Sequence, residues 1–345
     1  MIKRSYNHNM AVATPGIFRQ LFGPTIVAAL PLVVGTLTVS VAFPLATYTL
    51  SLALFGLAHV LSELRYIDLR YGRSIGQHLR WVIGLSLLTV VTLRGAQLLG
   101  LIAPDAGQSL EVGVVVLLSL SVLPRLWRRG VMVAAVGLAV SALLVAGLVT
   151  SPIHTLLILA ILHNLTPLGF LADALKPGQR APLLLVGAAI FVAIPVFIAS
   201  GIPHHWLSAL GMMAPEASIL PVGPLSSHLG AYIHPVFHDE QWAIYAFSAV
   251  VFAQCMHYAV VIHLLPRLLD EREHQHRGVL RWPSEGRFVI LMVLMSALLF
   301  GLFVWSFGTA RAIYGIAAAV HAWVEIPILM LALFAGLSST VGGGE

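Results

Sequence analysis

Ten times along this 345-residue chain the sequence runs apolar for about 18 residues or more, and that pattern removes nearly every soluble architecture. A helix of such length crosses a hydrocarbon core of about 30 Å at about 1.5 Å per residue. Hydrophobic residues make up 59% of the chain and charged ones only 10%, with a mean hydropathy of +0.92, so no soluble domain of useful size fits between the runs. The expected fold is all-α: one polytopic membrane bundle over residues 1–345, with spans near 24–43, 45–64, 81–103, 107–124, 131–150, 153–173, 182–200, 241–266, 287–307 and 313–336. The fourth is the shortest, its strictly apolar part starting after Glu111. A hinge at Phe43-Pro44 makes the first two spans an antiparallel pair.

The basic residues give the sidedness. Lys3, Arg4 and Arg19 precede the first span; Arg65, Arg70, Arg73 and Arg80 follow the second. Later clusters are Arg125, Arg128 and Arg129, then Lys176 and Arg180, then Arg267, Arg272, Arg277, Arg281 and Arg287. With ten spans, 17 of the 19 Lys and Arg fall on one face, and the positive-inside rule puts both termini in the cytoplasm. Only Arg94 and Arg311 fall elsewhere. The net charge of +5 therefore marks membrane orientation and not a nucleic-acid partner. The polar, basic tail 1–22 and the apolar run after it lack a clear small-residue cleavage site and read as an uncleaved signal-anchor. The lone Cys255 excludes an intrachain disulfide.

One long segment faces the other side. Residues 201–240 contain no Lys or Arg but hold His204, His205, His228, His234 and His238 among five prolines, which suggests an extracytoplasmic lid. His234 and His238 are its most ligand-like pair, four residues apart, although Pro235 opposes a helix running through them.

Four histidines lie inside apolar spans: His59, His163, His257 and His321. All four spans run in the same direction. The positions lie about 9–16 residues into each, or roughly 14–24 Å below the outer surface. A single intramembrane histidine has an ordinary role in an interhelical hydrogen bond. Four at one depth point to a metal held in the bundle core, since neutral imidazole suits iron, copper or zinc. Glu63 and Glu325 follow His59 and His321 by four residues, so each carboxylate shares a face with an imidazole. Such an acid can orient a ligating histidine. Glu325 has Arg94 as an alternative partner, and Glu63 has Arg65 or Arg70. Asn164 follows His163 directly, and Pro167 is expected to kink that helix. His263, near the cytoplasmic boundary and almost opposite His257 on its helix, is a weaker candidate; His274 and His276 fall in a charged loop. Zinc-protease, phosphate-loop, desaturase-box and nucleophile-elbow motifs are all absent.

Gly56-Leu57-Ala58-His59-Val60-Leu61-Ser62-Glu63 resembles the Gly-x-Pro-His-Gly-x-x-Asp motif of the Brp/Blh-type bacterial β-carotene 15,15′-dioxygenases, with Ala58, Val60 and Glu63 replacing its Pro, Gly and Asp. Ile161-Leu162-His163-Asn164, Met256-His257 through His263, and Val320-His321-Ala322-Trp323 are similar to the family's other intramembrane histidine segments. The resemblance implies a non-haem Fe(II) oxygenase in a bacterial inner membrane, using O₂ to cleave a carotenoid or other isoprenoid. From the histidines alone, a b-type haem protein and a transporter of a transition metal such as Cu or Zn remain as alternatives.

Overall fold

The computed structural model describes residues 30–269 and 278–335. The tail 1–22 and the loop histidines His274 and His276 lie outside them. Among the described residues the chain is entirely helical. The helices are α1 (Leu30–Ala42), α2 (Pro44–Tyr71), α3 (Gln77–Leu98), α4 (Pro104–Trp127), α5 (Val131–Thr150), α6 (Pro152–His163), α7 (Thr166–Ala174), α8 (Pro177–Ala199), α9 (Ile202–Ala209), α10 (Gln241–Leu268), α11 (Glu285–Trp305) and α12 (Phe307–Ala335). Eight are long and apolar enough to cross a bilayer, and α6 with α7 makes a ninth span bent by 44°. The shorter α1 occupies the described part of the first expected span. The sequence pattern of about ten spans and the structure agree.

The breaks follow from local chemistry. Phe43 alone separates α1 from α2, and Pro44 opens α2, where its missing N–H has no intrahelical role. Pro167 lacks the N–H that would bond the carbonyl of His163, so the helix stops there; the Thr166 hydroxyl donates to that carbonyl instead, at 2.7 Å. In α10, a π-turn over Val260–Leu264 precedes Pro266. The Ser62 hydroxyl of α2 donates to the Val261 carbonyl in that turn, at 2.9 Å. This bond ties the two helices together one turn from His257.

The helices differ sharply in burial. Over their most apolar stretches α2 and α10 are 61% buried inside the protein, against 17% for α3, α8 and α11. The exposed faces of the outer helices carry large side chains such as Leu85, Leu88, Leu143, Ile290 and Leu294. A ring of that kind is intolerable in water and ordinary against lipid tails. Of three apolar core clusters, two lie one above the other in the middle. The inner core packs Tyr66, Leu118, Leu126, Phe170, Leu265 and Ile328. The outer core joins Leu45, Phe247, Phe303 and Phe307 to Leu220, Leu225, Leu229 and Ile233 of the 201–240 segment, which thus folds down onto the helix ends. The buried histidines sit between the two cores.

Candidate metal centre

α2, α6, α10 and α12 each deliver one histidine to the same point. Taking one ring nitrogen from each, His59, His163, His257 and His321 have ligand atoms within 4.8 Å of one another. Nε2 of His321 lies 3.1 Å from Nε2 of His59 and 3.0 Å from Nε2 of His163. In the tautomer that carries each proton on Nδ1, those contacts are between lone pairs and not hydrogen bonds. Nδ1 of His59 faces the Phe55 carbonyl at 3.3 Å, and Nδ1 of His321 faces the Ala317 carbonyl at 3.4 Å. Nδ1 of His163 faces Oε2 of Glu325 at 2.8 Å. Each acceptor suits the tautomer with the proton on Nδ1, which would aim the three Nε2 lone pairs at one another. Lone pairs so close repel unless a cation lies between them. Metal–nitrogen bonds of about 2.1 Å at tetrahedral or octahedral angles would separate ligand nitrogens by about 3.0–3.4 Å. The observed spacings meet that requirement.

The fourth histidine and an acid complete the cluster. Both ring nitrogens of His257 and both carboxylate oxygens of Glu63 are buried with no hydrogen-bond partner. Nε2 of His257 and Oε2 of Glu63 stand 3.4 Å apart, and the same oxygen is 4.0 Å from Nε2 of His321. Glu63, His163, His321 and Glu325 form a second overlapping group of possible ligand atoms, also within 4.8 Å. Glu63 and Glu325 place two carboxyl groups in one buried site with four imidazoles, and each of them, where ionised, is a charge in hydrocarbon. Leaving such charges bare in hydrocarbon costs several kcal/mol (about 2.5–3.5 each at a span centre on insertion scales). A divalent cation would balance them and engage the atoms of His257 and Glu63 that make no hydrogen bond.

Around the cluster the packing is aromatic. Tyr258 stacks on the His59 ring, with centroids 4.0 Å apart, and its hydroxyl meets that of Tyr314 at 3.3 Å. Gly56 makes room for this arrangement: a Cβ there would meet the Tyr314 ring at 2.9 Å. Toward the lid the cluster opens into a cavity of about 570 Å³, lined by residues of α2, α6, α12 and the 201–240 segment. Toward the other end the inner core seals it.

Several expected roles change. Glu325 does not orient His321 or meet Arg94; it binds His163. Arg94 instead pairs with Glu111 of α4, its Nη2 lying 2.8 Å from Oε1, and it also donates to the Gly315 carbonyl at 2.7 Å. Glu111 further accepts the Trp323 indole N–H at 2.6 Å, so it lies buried inside α4 and not at that span's margin. Glu63 turns inward to the histidines, while Arg70 takes Asp173 at 2.8 Å. Asn164 donates to the Ala160 carbonyl of its own helix and lines the cavity without joining the cluster. His263 lines a separate apolar groove, on the face of α10 away from His257 as the six-residue spacing requires. In the lid, His234 accepts from the Val236 N–H and stacks on His154 at 4.1 Å, while His238 donates to the Ile233 carbonyl at 3.0 Å. Neither approaches a second group of ligands among the described residues.

Sequence reasoning passed over Tyr314 and Glu111. Tyr314 lies seven residues before His321, two helical turns up the same face, and Glu111 is the one acid on α4 deep enough to meet Arg94. No protein-family model, no curated protein and no solved structure matches this chain.

Proposed function

We propose that this chain is an intramembrane non-haem iron oxygenase acting on a lipophilic, isoprenoid-type substrate. The carrying observation is that Nε2 of His59 and Nε2 of His163 meet Nε2 of His321 at 3.1 and 3.0 Å, in a buried site where Glu63 also faces His257 at 3.4 Å. Histidine nitrogens with a carboxylate beside them form a donor set suited to Fe(II) that can leave positions open for O₂ and substrate. The resemblance of the four histidine segments to the Brp/Blh-type dioxygenases points the same way. Iron bound here would supply the activation of O₂.

The chain's own residues set the conditions. Glu325 holds the His163 ring by its Nδ1–H, and the Phe55 and Ala317 carbonyls do the same for His59 and His321. Tyr258 covers one face of His59. The inner core excludes water from below, so access runs through the cavity on the lid side.

A b-type haem fits this donor set poorly. Two axial imidazoles require a flat equatorial slot for the macrocycle, and here two more imidazoles and Glu63 fill that space. Zinc or copper would satisfy the same nitrogens, so the metal must be measured. Purified protein is expected to be free of a Soret band and to carry about one equivalent of iron. His321→Ala should lose it, because His321 touches both His59 and His163. Membranes supplied with an isoprenoid substrate should show its O₂-dependent consumption with carbonyl products. A haem spectrum, or metal uptake by proteoliposomes without oxygenase activity, would defeat the proposal.

A further inference from the structure

Arg94 and Arg311 are the two basic residues that depart from the charge partition of the other 17, and the structure brings both to the wall of one cavity. Their situations differ. Arg94 is neutralised by Glu111. Arg311 has no carboxylate and no hydrogen-bond partner among the described residues; its guanidinium lies over the Tyr48 ring, 5.9 Å from the centroid. The Tyr48 hydroxyl likewise has no protein partner and opens into the cavity, although the residue as a whole is buried. A charged guanidinium and a phenol donor, side by side and unspent, are a complementary pair for an anionic oxygen group.

Their position relative to the histidines is equally specific. Arg311 precedes His321 by ten residues on α12, and Tyr48 precedes His59 by eleven on α2, so both donors lie about 15 Å from the cluster along their helices. Between the donors and the histidines the cavity wall is mixed: Leu52, Leu156, Leu159, Ala318 and Ala319 form an apolar strip beside Arg94, Tyr232, Gln254 and Tyr314. The cavity thus has a cationic end under the lid, an apolar strip along one wall and the candidate metal centre at its floor. A hydrocarbon substrate would leave the two donors unmatched at the mouth.

We infer that Arg311 and Tyr48 bind the anionic head group of a long-chain amphiphile, whose apolar chain runs down the cavity to the histidine cluster. This inference rests on the oxygenase reading for what happens at the floor, and narrows its substrate to acid-headed lipids. The head-group site itself stands on separate residues.

The test is equilibrium binding to the purified full-length protein in a neutral detergent, using palmitate, hexadecyl phosphate, hexadecanol and inorganic phosphate as probes. Palmitate, hexadecyl phosphate or both should bind saturably, and hexadecanol about tenfold or more weakly, as expected for loss of a hydrogen bond to a charged group. Binding of only one acid identifies the head as carboxylate or phosphate. Arg311→Gln should erase the preference for acid over alcohol with metal content unchanged; Arg311→Lys should keep part of it, and Tyr48→Phe should weaken it a few-fold. Equal binding of acid and alcohol would overturn the inference, as would Arg311→Gln with its preference intact. So would inorganic phosphate competing as well as hexadecyl phosphate, which would mark a simple anion site. Arg311-dependent acid binding by protein that holds no metal would remove the oxygenase reading and leave the head-group site standing.

Discussion

Replacing Glu325 by glutamine separates a carboxylate that positions a ligand from one that binds the metal. In the structure its Oε2 accepts the Nδ1–H of His163 at 2.8 Å, a charge-assisted bond buried between α6 and α12. Glutamine keeps the shape and an acceptor oxygen but removes the charge that makes His163 a stronger donor to a cation. Loss of such an outer partner ordinarily costs about 10–100-fold in metal affinity, or about 1.4–2.8 kcal/mol. The metal-free protein should respond in the opposite sense. Glu63 shares the same buried cluster, and two carboxyl groups so close must, without a cation, hold a proton between them, a cost that glutamine removes. Glu325→Gln should therefore weaken metal binding, measured by competition with a chromophoric chelator, while raising the unfolding temperature of the apo form. Complete loss of metal with the helical fold intact would make Glu325 a direct ligand. Unchanged affinity together with unchanged apo stability would refute the electrostatic reasoning altogether.

Three further outcomes follow from the same geometry. Arg94→Gln strands Glu111 as a buried charge and should destabilise the fold by about 3–5 kcal/mol without stripping metal; the double variant Arg94→Gln/Glu111→Gln should recover much of that, as read in thermal unfolding. His234→Ala with His238→Ala should leave metal content unchanged, since both side chains serve the lid's own backbone; loss of one equivalent would revive a metal site there. The lid should also loosen in acid. Burial on α9 pushes His204 down to about 4 from 6.5, so the unfolded lid takes up a proton that the folded one refuses. Its stability is full above about pH 6.5 and falls as pH drops toward 4. Hydrogen exchange across 201–240 should rise between pH 7 and pH 5, and His204→Gln should flatten that rise.

The bilayer made much of this protein legible in one dimension. Backbone groups in lipid must be satisfied within each segment, so every apolar run of sufficient length had to be a helix, and Pro44 and Pro167 marked breaks that the chain does make. The same cost made charged and polar residues within the spans informative. The four histidines could be picked out as one set because depth along a span follows from counting residues. Which way a side chain turns could not be counted. Glu63 and Glu325 each sit four residues from a histidine, yet Glu325 serves His163 on another helix and Glu63 faces His257, because helix rotation and lateral packing are set by contacts such as Gly56 against Tyr314. Arg94 found Glu111, and Arg311 found no acid among the described residues, for the same reason: partners on neighbouring helices are chosen across the bundle, by an arrangement that no single segment encodes. Sequence thus determined which residues had to enter the membrane and at what depth, and only the tertiary packing decided which of them meet.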